Sequence, residues 1–258
     1  MPGVEPDALA ELLEEAVALA RAAGDRTLRW FRAPDLVVDT KADLTPVTEA
    51  DRDAERYLRA ELGRRHPGDG ILGEEEGELA GRSGRRWIID PIDGTKAFTH
   101  GVPLYSTLLA VLDESGPLVG VVHLPALGQT VYAARGLGCW LDGQPARARS
   151  RPGLDGAWVM TSGLTAWTRA RIEAVQSRGA SIRTWGDAYG YSLVATGFAD
   201  AMVDPEASLW DLAPMPVILA EAGGRFTTLE GAGGPEGGSG VGTAGGPLHD
   251  ELLAALAC

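Results

Sequence analysis

Cysteine is almost absent from this chain: Cys139 and Cys258 are the only two in 258 residues. Two thiols without a spacing pattern exclude a disulfide framework and a zinc site. A reducing cytoplasm is the expected compartment. Apolar runs long enough to cross a bilayer are also missing, so no membrane association is expected. The N-terminus begins with acidic residues and lacks the basic-then-apolar order of a secretion signal. Basic residues are outnumbered, 23 against 36 acidic ones, and the net charge is −13. Nucleic acid is therefore not expected as a partner, because its backbone demands Lys and Arg in number. The acidity suits a positively charged ligand. An anionic phosphate is also acceptable where bound cations reverse the local field.

What is present is ordinary for a folded protein: 45% hydrophobic and 23% charged residues, with enough length to bury a large core. Helical apolar spacing covers Asp7 to Ala23 and stops at Gly24. A second helix opens near Thr48 and runs to about Arg65, and Val37 to Thr40 reads as a short strand. From Ser106 to Arg135 the pattern predicts a meander of antiparallel strands, continued by a hairpin at Leu141-Asp142-Gly143-Gln144. After Arg149 strands and helices alternate. Strands are expected at 158–161, 181–185, 199–203 and 225–229. Helices are expected at 167–178, 187–196, 210–222 and from Leu248. Such alternation means helices covering a sheet. Glu230 to Gly240 is Gly-rich and reads as a surface loop. A composition break falls near 146–157.

The most informative stretch is Trp87-Ile88-Ile89-Asp90-Pro91-Ile92-Asp93-Gly94-Thr95. Its apolar run predicts a buried strand, expected to end at Pro91, with Gly94 supplying a bend. Asp90 and Asp93 would then be held close together on a rigid turn, where they repel unless a proton or a cation intervenes. A hard divalent cation is the natural answer, since Mg²⁺ is held by a few carboxylates plus substrate phosphate. Taken alone, the motif also fits an Asp-Pro turn with a solvated second Asp.

Two further segments flank it: Gly73-Glu74-Glu75-Glu76 upstream, and Trp210-Asp211-Leu212-Ala213 leading into Ala222-Gly223-Gly224 downstream. With the three in this order, the chain resembles the inositol-monophosphatase superfamily of metal-dependent phosphomonoesterases over essentially its whole length. The resemblance implies a layered α/β/α/β/α fold, with an N-terminal α+β part, 1–148, and a C-terminal α/β part, 149–258, a division with which the composition break agrees. It implies Mg²⁺, two or three ions, as the cofactor, and a homodimer. Glu74, Asp90, the Ile92 carbonyl, Asp93 and Asp211 would be metal ligands, with Glu75 behind Glu74. Thr95, hydrogen-bonded to Asp51, would orient the attacking water together with Glu74. Gly94 and Thr95 would offer N–H groups to phosphate. Taken singly, Glu74 fits a solvated acidic turn, Asp211 a helix cap, and Asp51 the partner of Thr48 in a capping box. The implied route is in-line attack by a metal-activated water with no covalent intermediate. A D-x-D-G-T nucleophile would require Asp where Pro91 stands.

The substrate pocket would be finished by Gly186, Asp187 and Ala188, and by Asp204. In inositol-type relatives the position of Asp187 is usually small and neutral, and that of Asp204 commonly Glu. A second carboxylate favours a cationic ester, because an unpaired buried carboxylate is costly. Trp185-Gly186-Asp187-Ala188-Tyr189 and the run from Asp43 to Asp51 resemble the histidinol-phosphate phosphatase branch. Inositol 1-phosphate, or a promiscuous range of sugar and polyol phosphates, is the alternative. A non-catalytic phosphate-binding relative is a third reading. Asp187 by itself also fits a helix N-cap.

Overall fold

Trp87, Ile88 and Ile89 form an unbroken apolar run because both faces of their strand are covered. The computed structural model describes residues 5–41 and 45–257. Asp43 and Leu44 of the 43–51 motif, and Cys258, lie outside them. The first elements are α1 (Pro6–Thr27), β1 (Val38–Thr40), β2 (Pro46–Thr48) and α2 (Glu49–Arg65). Then come β3 (Gly70–Gly73), β4 (Gly77–Leu79), β5 (Arg86–Asp93), α3 (Thr95–Thr99), β6 (Ser106–Asp113), β7 (Gly116–Leu124), β8 (Gln129–Ala134), β9 (Gly138–Leu141) and β10 (Gln144–Pro145). The remainder is β11 (Trp158–Met160), α4 (Arg169–Gln176), β12 (Ser181–Arg183), α5 (Asp187–Ala195), β13 (Ala201–Asp204), α6 (Leu209–Leu212), α7 (Met215–Glu221), β14 (Arg225–Thr227), β15 (Gly240–Thr243) and α8 (Pro247–Leu256).

The strands make an eight-stranded sheet, ordered β10-β9-β8-β7-β6-β5-β3-β4, and a five-stranded sheet, ordered β12-β11-β13-β15-β14. In the larger sheet only β3 and β5 run parallel. Period-two alternation sorts the side chains between layers. Leu109, Val111, Val119 and Val121 face α1 and α2, whereas Leu108 and Val122 face α5 and α7. In the smaller sheet Met160 and Met202 join that second core, and Val159, Ala201 and Val203 pack on α4 and α8. The outcome is the expected α/β/α/β/α layering. The hairpin at Asp142 and Gly143 forms with positive φ at both residues, as a two-residue connection requires. Among the described residues no helix is long and apolar enough to cross a membrane.

Three local expectations fail. First, α1 runs through Gly24 to Thr27. A Cβ at Gly24 would stand 2.5 Å from the His123 ring and 2.7 Å from Pro125, so this glycine permits close packing rather than ending the helix. Second, the helix expected over 210–222 is two helices, α6 and α7, because Pro214 has no N–H to continue the ladder. Third, β5 does not end at Pro91. Its pairing to β6 continues to Asp93 through an irregular register.

His249 of α8 is fully buried between Thr227 and Thr243, each hydroxyl 2.9 Å from a ring nitrogen. Burial, with help from Arg225, pushes its pKa down to about 4. The folded state thus resists a proton that the unfolded chain takes up near pH 6.5. Stability conferred at pH 7 should be lost as pH falls through that window and level off below about 4. The margin of the wild type over His249→Gln in urea unfolding is expected to shrink by on the order of 2 kcal/mol from pH 7 to pH 5. A constant margin would contradict a neutral buried imidazole.

Candidate metal centre and substrate cavity

Pro91 carries no N–H, so β5 meets β6 with a bulge. Asp90 stands opposite Leu108 and Asp93 opposite Ser106, three steps on one strand against two on the other. In a regular strand residues three apart point to opposite faces. The extra residue reverses that parity and brings both carboxylates to one side. Beyond the Gly73–Ile89 pair β3 no longer flanks β5, which opens that edge. Gly94 then turns the chain into α3 with φ +78°.

Asp211 arrives from α6, where its Oδ2 accepts the Ser208 N–H at 2.7 Å. Ser208, not Asp211, is the cap, and Asp211 accepts its N–H from the third helical position. That bond also aims the residue: Asp90, Asp93 and Asp211 each offer a carboxylate oxygen within 4.8 Å of the others. Glu74 stands on the Asp90 and Asp211 side, where its charge raises the pKa of both. Asp187 stands on the Asp93 side. Asp93 is further held by Ser106 Oγ and by the Ala188 N–H, both at 2.8 Å. The second backbone donor of α5 is thus satisfied by a carboxylate from the other sheet.

Burial pushes Asp90 and Asp93 well above the usual carboxylate range, and the neighbouring acids push further. Burial likewise raises Asp211 to about 6. Like charges this close repel by about 3 kcal/mol per pair even at an effective dielectric constant of 20. Among the described residues no basic side chain pairs with any of the three. An all-oxygen, all-anionic donor set of this kind fits a hard divalent cation.

The cation Lys41 lies beside this cluster. Its Nζ donates to Glu74 Oε1 and Glu75 Oε1, both at 2.7 Å. Burial raises the pKa of Glu75 to about 7 against the pull of Lys41. Sequence reasoning passed over Lys41, for which no motif signal existed.

The expected Thr95–Asp51 hydrogen bond is not formed. Thr95 Oγ1 donates to the Ile92 carbonyl at 3.0 Å. Asp51 Oδ2 accepts from the Thr48 N–H at 2.8 Å and the Thr48 hydroxyl at 2.6 Å, completing the capping box. Its other oxygen is buried and has no hydrogen-bond partner among the described residues. Burial accordingly lifts Asp51 to about 6. The local contacts win because Thr48 lies on the same helix start and Thr95 on the same turn as Ile92. The orphaned Asp51 oxygen is what a further donor at the centre would satisfy.

A cavity of about 650 Å³ opens over the cluster. Glu74, Asp93, Gly94, Thr95, Gly186, Asp187, Ala188, Asp204 and Asp211 line it. Asp51 and Asp90 are buried, as is the Ile92 side chain. Asp187 does not cap its helix. Gly186 occupies the cap position, and Asp187 follows with φ +52°. A Cβ at Gly94 would lie 3.0 Å from Asp187 Oδ2, so this carboxylate faces the Gly94 backbone. Ser162, missed in the sequence, joins the two pocket acids: its Oγ accepts the Asp187 N–H at 2.8 Å and donates to Asp204 Oδ1 at 2.6 Å. Burial lifts Asp204 to about 7 and raises Asp187. Tyr191 also lines the cavity, its buried hydroxyl lacking a hydrogen-bond partner among the described residues.

Residues 8–258 match the model of the inositol monophosphatase family. The chain is 46% identical to a histidinol-phosphatase of Mycobacterium tuberculosis, over 93% of this chain and 96% of that protein. It is 41% identical to a histidinol-phosphatase of Streptomyces coelicolor, over 97% and 98%. The solved structure of a Thermotoga maritima IMPase superposes with a TM-score of 0.87 at 32% identity, covering 95% of this chain and 96% of that one.

Proposed function

The chain belongs to the inositol monophosphatase family, and from that premise we propose that it uses Mg²⁺ to hydrolyse L-histidinol phosphate to L-histidinol and phosphate. It is a phosphoric monoester hydrolase. The observation that carries the metal is the meeting of Asp90 and Asp93 of β5 with Asp211 of α6 within 4.8 Å. Glu74, Asp90 and the Ile92 carbonyl would hold one ion, and Asp90, Asp93 and Asp211 a second. When bound, Mg²⁺ supplies Lewis acidity for activating water and for the charge on the departing oxygen. Thr95 and Glu74 line the cavity and would orient the attacking water, with Asp51 beneath them as hydrogen-bond acceptor. Gly94 and Thr95 would present their backbone N–H groups to the phosphate.

The cationic alcohol is the reading favoured by Asp187 and Asp204. Ser162 links the Asp187 backbone to the Asp204 carboxylate, and both acids line one cavity. An ammonium and an imidazole would give them the partners that burial otherwise denies. The names of the two bacterial relatives point the same way. A cytoplasmic homodimer completes the proposal, supported by the family resemblance.

With purified protein and Mg²⁺, kcat/KM for histidinol phosphate should exceed that for inositol 1-phosphate by at least about tenfold. The reverse order would overturn the substrate. Chelation by EDTA should stop phosphate release from either ester, and added Mg²⁺ should restore it. Release that survives chelation would overturn the metal. A protein inactive on a broad panel of esters would be a non-catalytic relative.

A further inference from the structure

Helix α2 carries Asp51, Glu55 and Arg59 at four-residue spacing, so all three share one face. Asp51 is buried, with Glu74 among the charges acting on it. Glu55 is fully buried, and both of its oxygens are committed to the next turn of chain. Oε2 accepts the Glu75 N–H at 2.8 Å, and Oε1 accepts the Glu76 N–H at 2.9 Å. Arg59 Nε donates to the same Oε1 at 2.8 Å, and its Nη2 donates to the Gly77 carbonyl. One helix face therefore grips every residue from Glu75 to Gly77 by its backbone.

On the other side of Glu74, Gly73 is paired with Ile89 of β5. A Cβ at Gly73 would overlap the Glu55 carboxylate and stand 2.9 Å from Arg59 Nη2. Only glycine lets the helix come this near. Glu74 thus has a pinned neighbour on each side, while its own side chain reaches the acidic cluster. A buried carboxylate is costly, and an apolar residue at 55 would instead orphan two N–H groups. The Glu55 carboxylate serves the turn, and the turn serves Glu74.

We propose that Glu55, braced by Arg59 and admitted by Gly73, is a positioning residue that aims Glu74 at Asp90 and thereby sets the affinity of the cation held on the Glu74 side. The inference rests on the reading of Glu74 as a ligand. The Glu55→Gln variant is nearly isosteric, yet its amide must put an N–H₂ against a backbone N–H at one oxygen or the other. Partners behind a metal ligand typically alter affinity by about 10–100-fold.

The test uses the whole protein with Mn²⁺ as a paramagnetic stand-in for Mg²⁺, titrated without substrate and read by electron paramagnetic resonance. In Glu55→Gln one class of Mn²⁺ site should weaken by about tenfold while the other is unchanged. The Mg²⁺ concentration for half-maximal phosphate release should rise by about as much, with kcat at saturating Mg²⁺ within about twofold of wild type. Gly73→Ala, which pushes on the same carboxylate, should do likewise. Combining it with Glu55→Ala should add little to Glu55→Ala alone, because the overlap is gone. Lower thermal stability with unchanged Mn²⁺ affinity would make Glu55 purely structural and overturn the inference, as would failure of both single variants to fold. If wild type binds no Mn²⁺, or Asp90→Asn binds it equally well, the metal reading itself fails, whatever Glu55 does.

Discussion

Replacing Asp90 by asparagine is expected to abolish nearly all phosphate release and to stabilise the chelated protein. The side chain is buried, with 1% of its surface exposed, and faces Glu74, Asp93 and Asp211. In the proposed centre it is the carboxylate shared by both ions. Its loss removes charge on which both depend, and a fall in kcat of about 10³-fold or more is expected. Asparagine is isosteric and its Oδ1 can still accept the Ile92 N–H, now 3.0 Å away, so the bulge should persist. Without metal the same change relieves repulsion among buried acids, and thermal unfolding in EDTA should shift upward by a few degrees, roughly as 1 kcal/mol does in a chain this size. Activity within about tenfold of wild type would remove Asp90 from the mechanism.

The sign of the pH effect follows from the same groups. Asp90, Asp93 and Asp211 are raised above the ordinary value, Asp211 to about 6, so the folded state binds their protons more tightly than the unfolded chain. Their contribution to the stability of the chelated protein is therefore full at low pH. It is lost as pH rises through these folded values. Unfolding in EDTA should give a less stable wild type at pH 8 than at pH 6, with a shallower slope for Asp90→Asn. With Mg²⁺ present the dependence reverses, because protons compete with the cation.

The second large effect is expected at Asp187, and it should separate substrates. Asparagine is the informative replacement. Asp187 sits at φ +52°, which Asn tolerates, whereas a β-branched threonine would be strained there. Truncating one member of a buried charge pair costs about 2–5 kcal/mol. The Asp187→Asn variant should therefore lower kcat/KM for histidinol phosphate by roughly 100-fold. For inositol 1-phosphate, which brings no cation to this wall, a change within about threefold is expected. Equal losses on both esters would mean that Asp187 serves only to seat Gly94, against which its carboxylate lies.

The parts of the site readable in the chain were those written by neighbours. Asp90-Pro91-Ile92-Asp93-Gly94 announces a constrained acidic turn. Gly73-Glu74 and Trp210-Asp211 announce nothing alone, and only their order beside that turn gives them meaning. The meander from Ser106 and the Asp142-Gly143 turn were legible because alternation and turn chemistry are local. Gly24 misled because glycine has two uses, ending a helix and admitting a close neighbour, and only the position of His123 tells them apart. The Thr95–Asp51 bond was expected from resemblance, and short-range partners on each side prevailed. Ser162, Tyr191, Lys41 and Glu55 left no trace in the sequence, since a serine, a tyrosine, a lysine and a helical glutamate are everywhere.

By itself, then, the order of residues determined which side chains could do chemistry, which segments would be strand or helix, and that an acidic turn would form at Asp90 to Gly94. The tertiary structure alone decided that Asp90 and Asp93 share a side, through one extra residue opposite β6. It alone brought Asp211 to them on a helix more than a hundred residues further along the chain, and set Glu55 behind Glu74. The reason is range: propensity and turn geometry act over a few bonds, whereas the distance between two carboxylates depends on how whole layers pack.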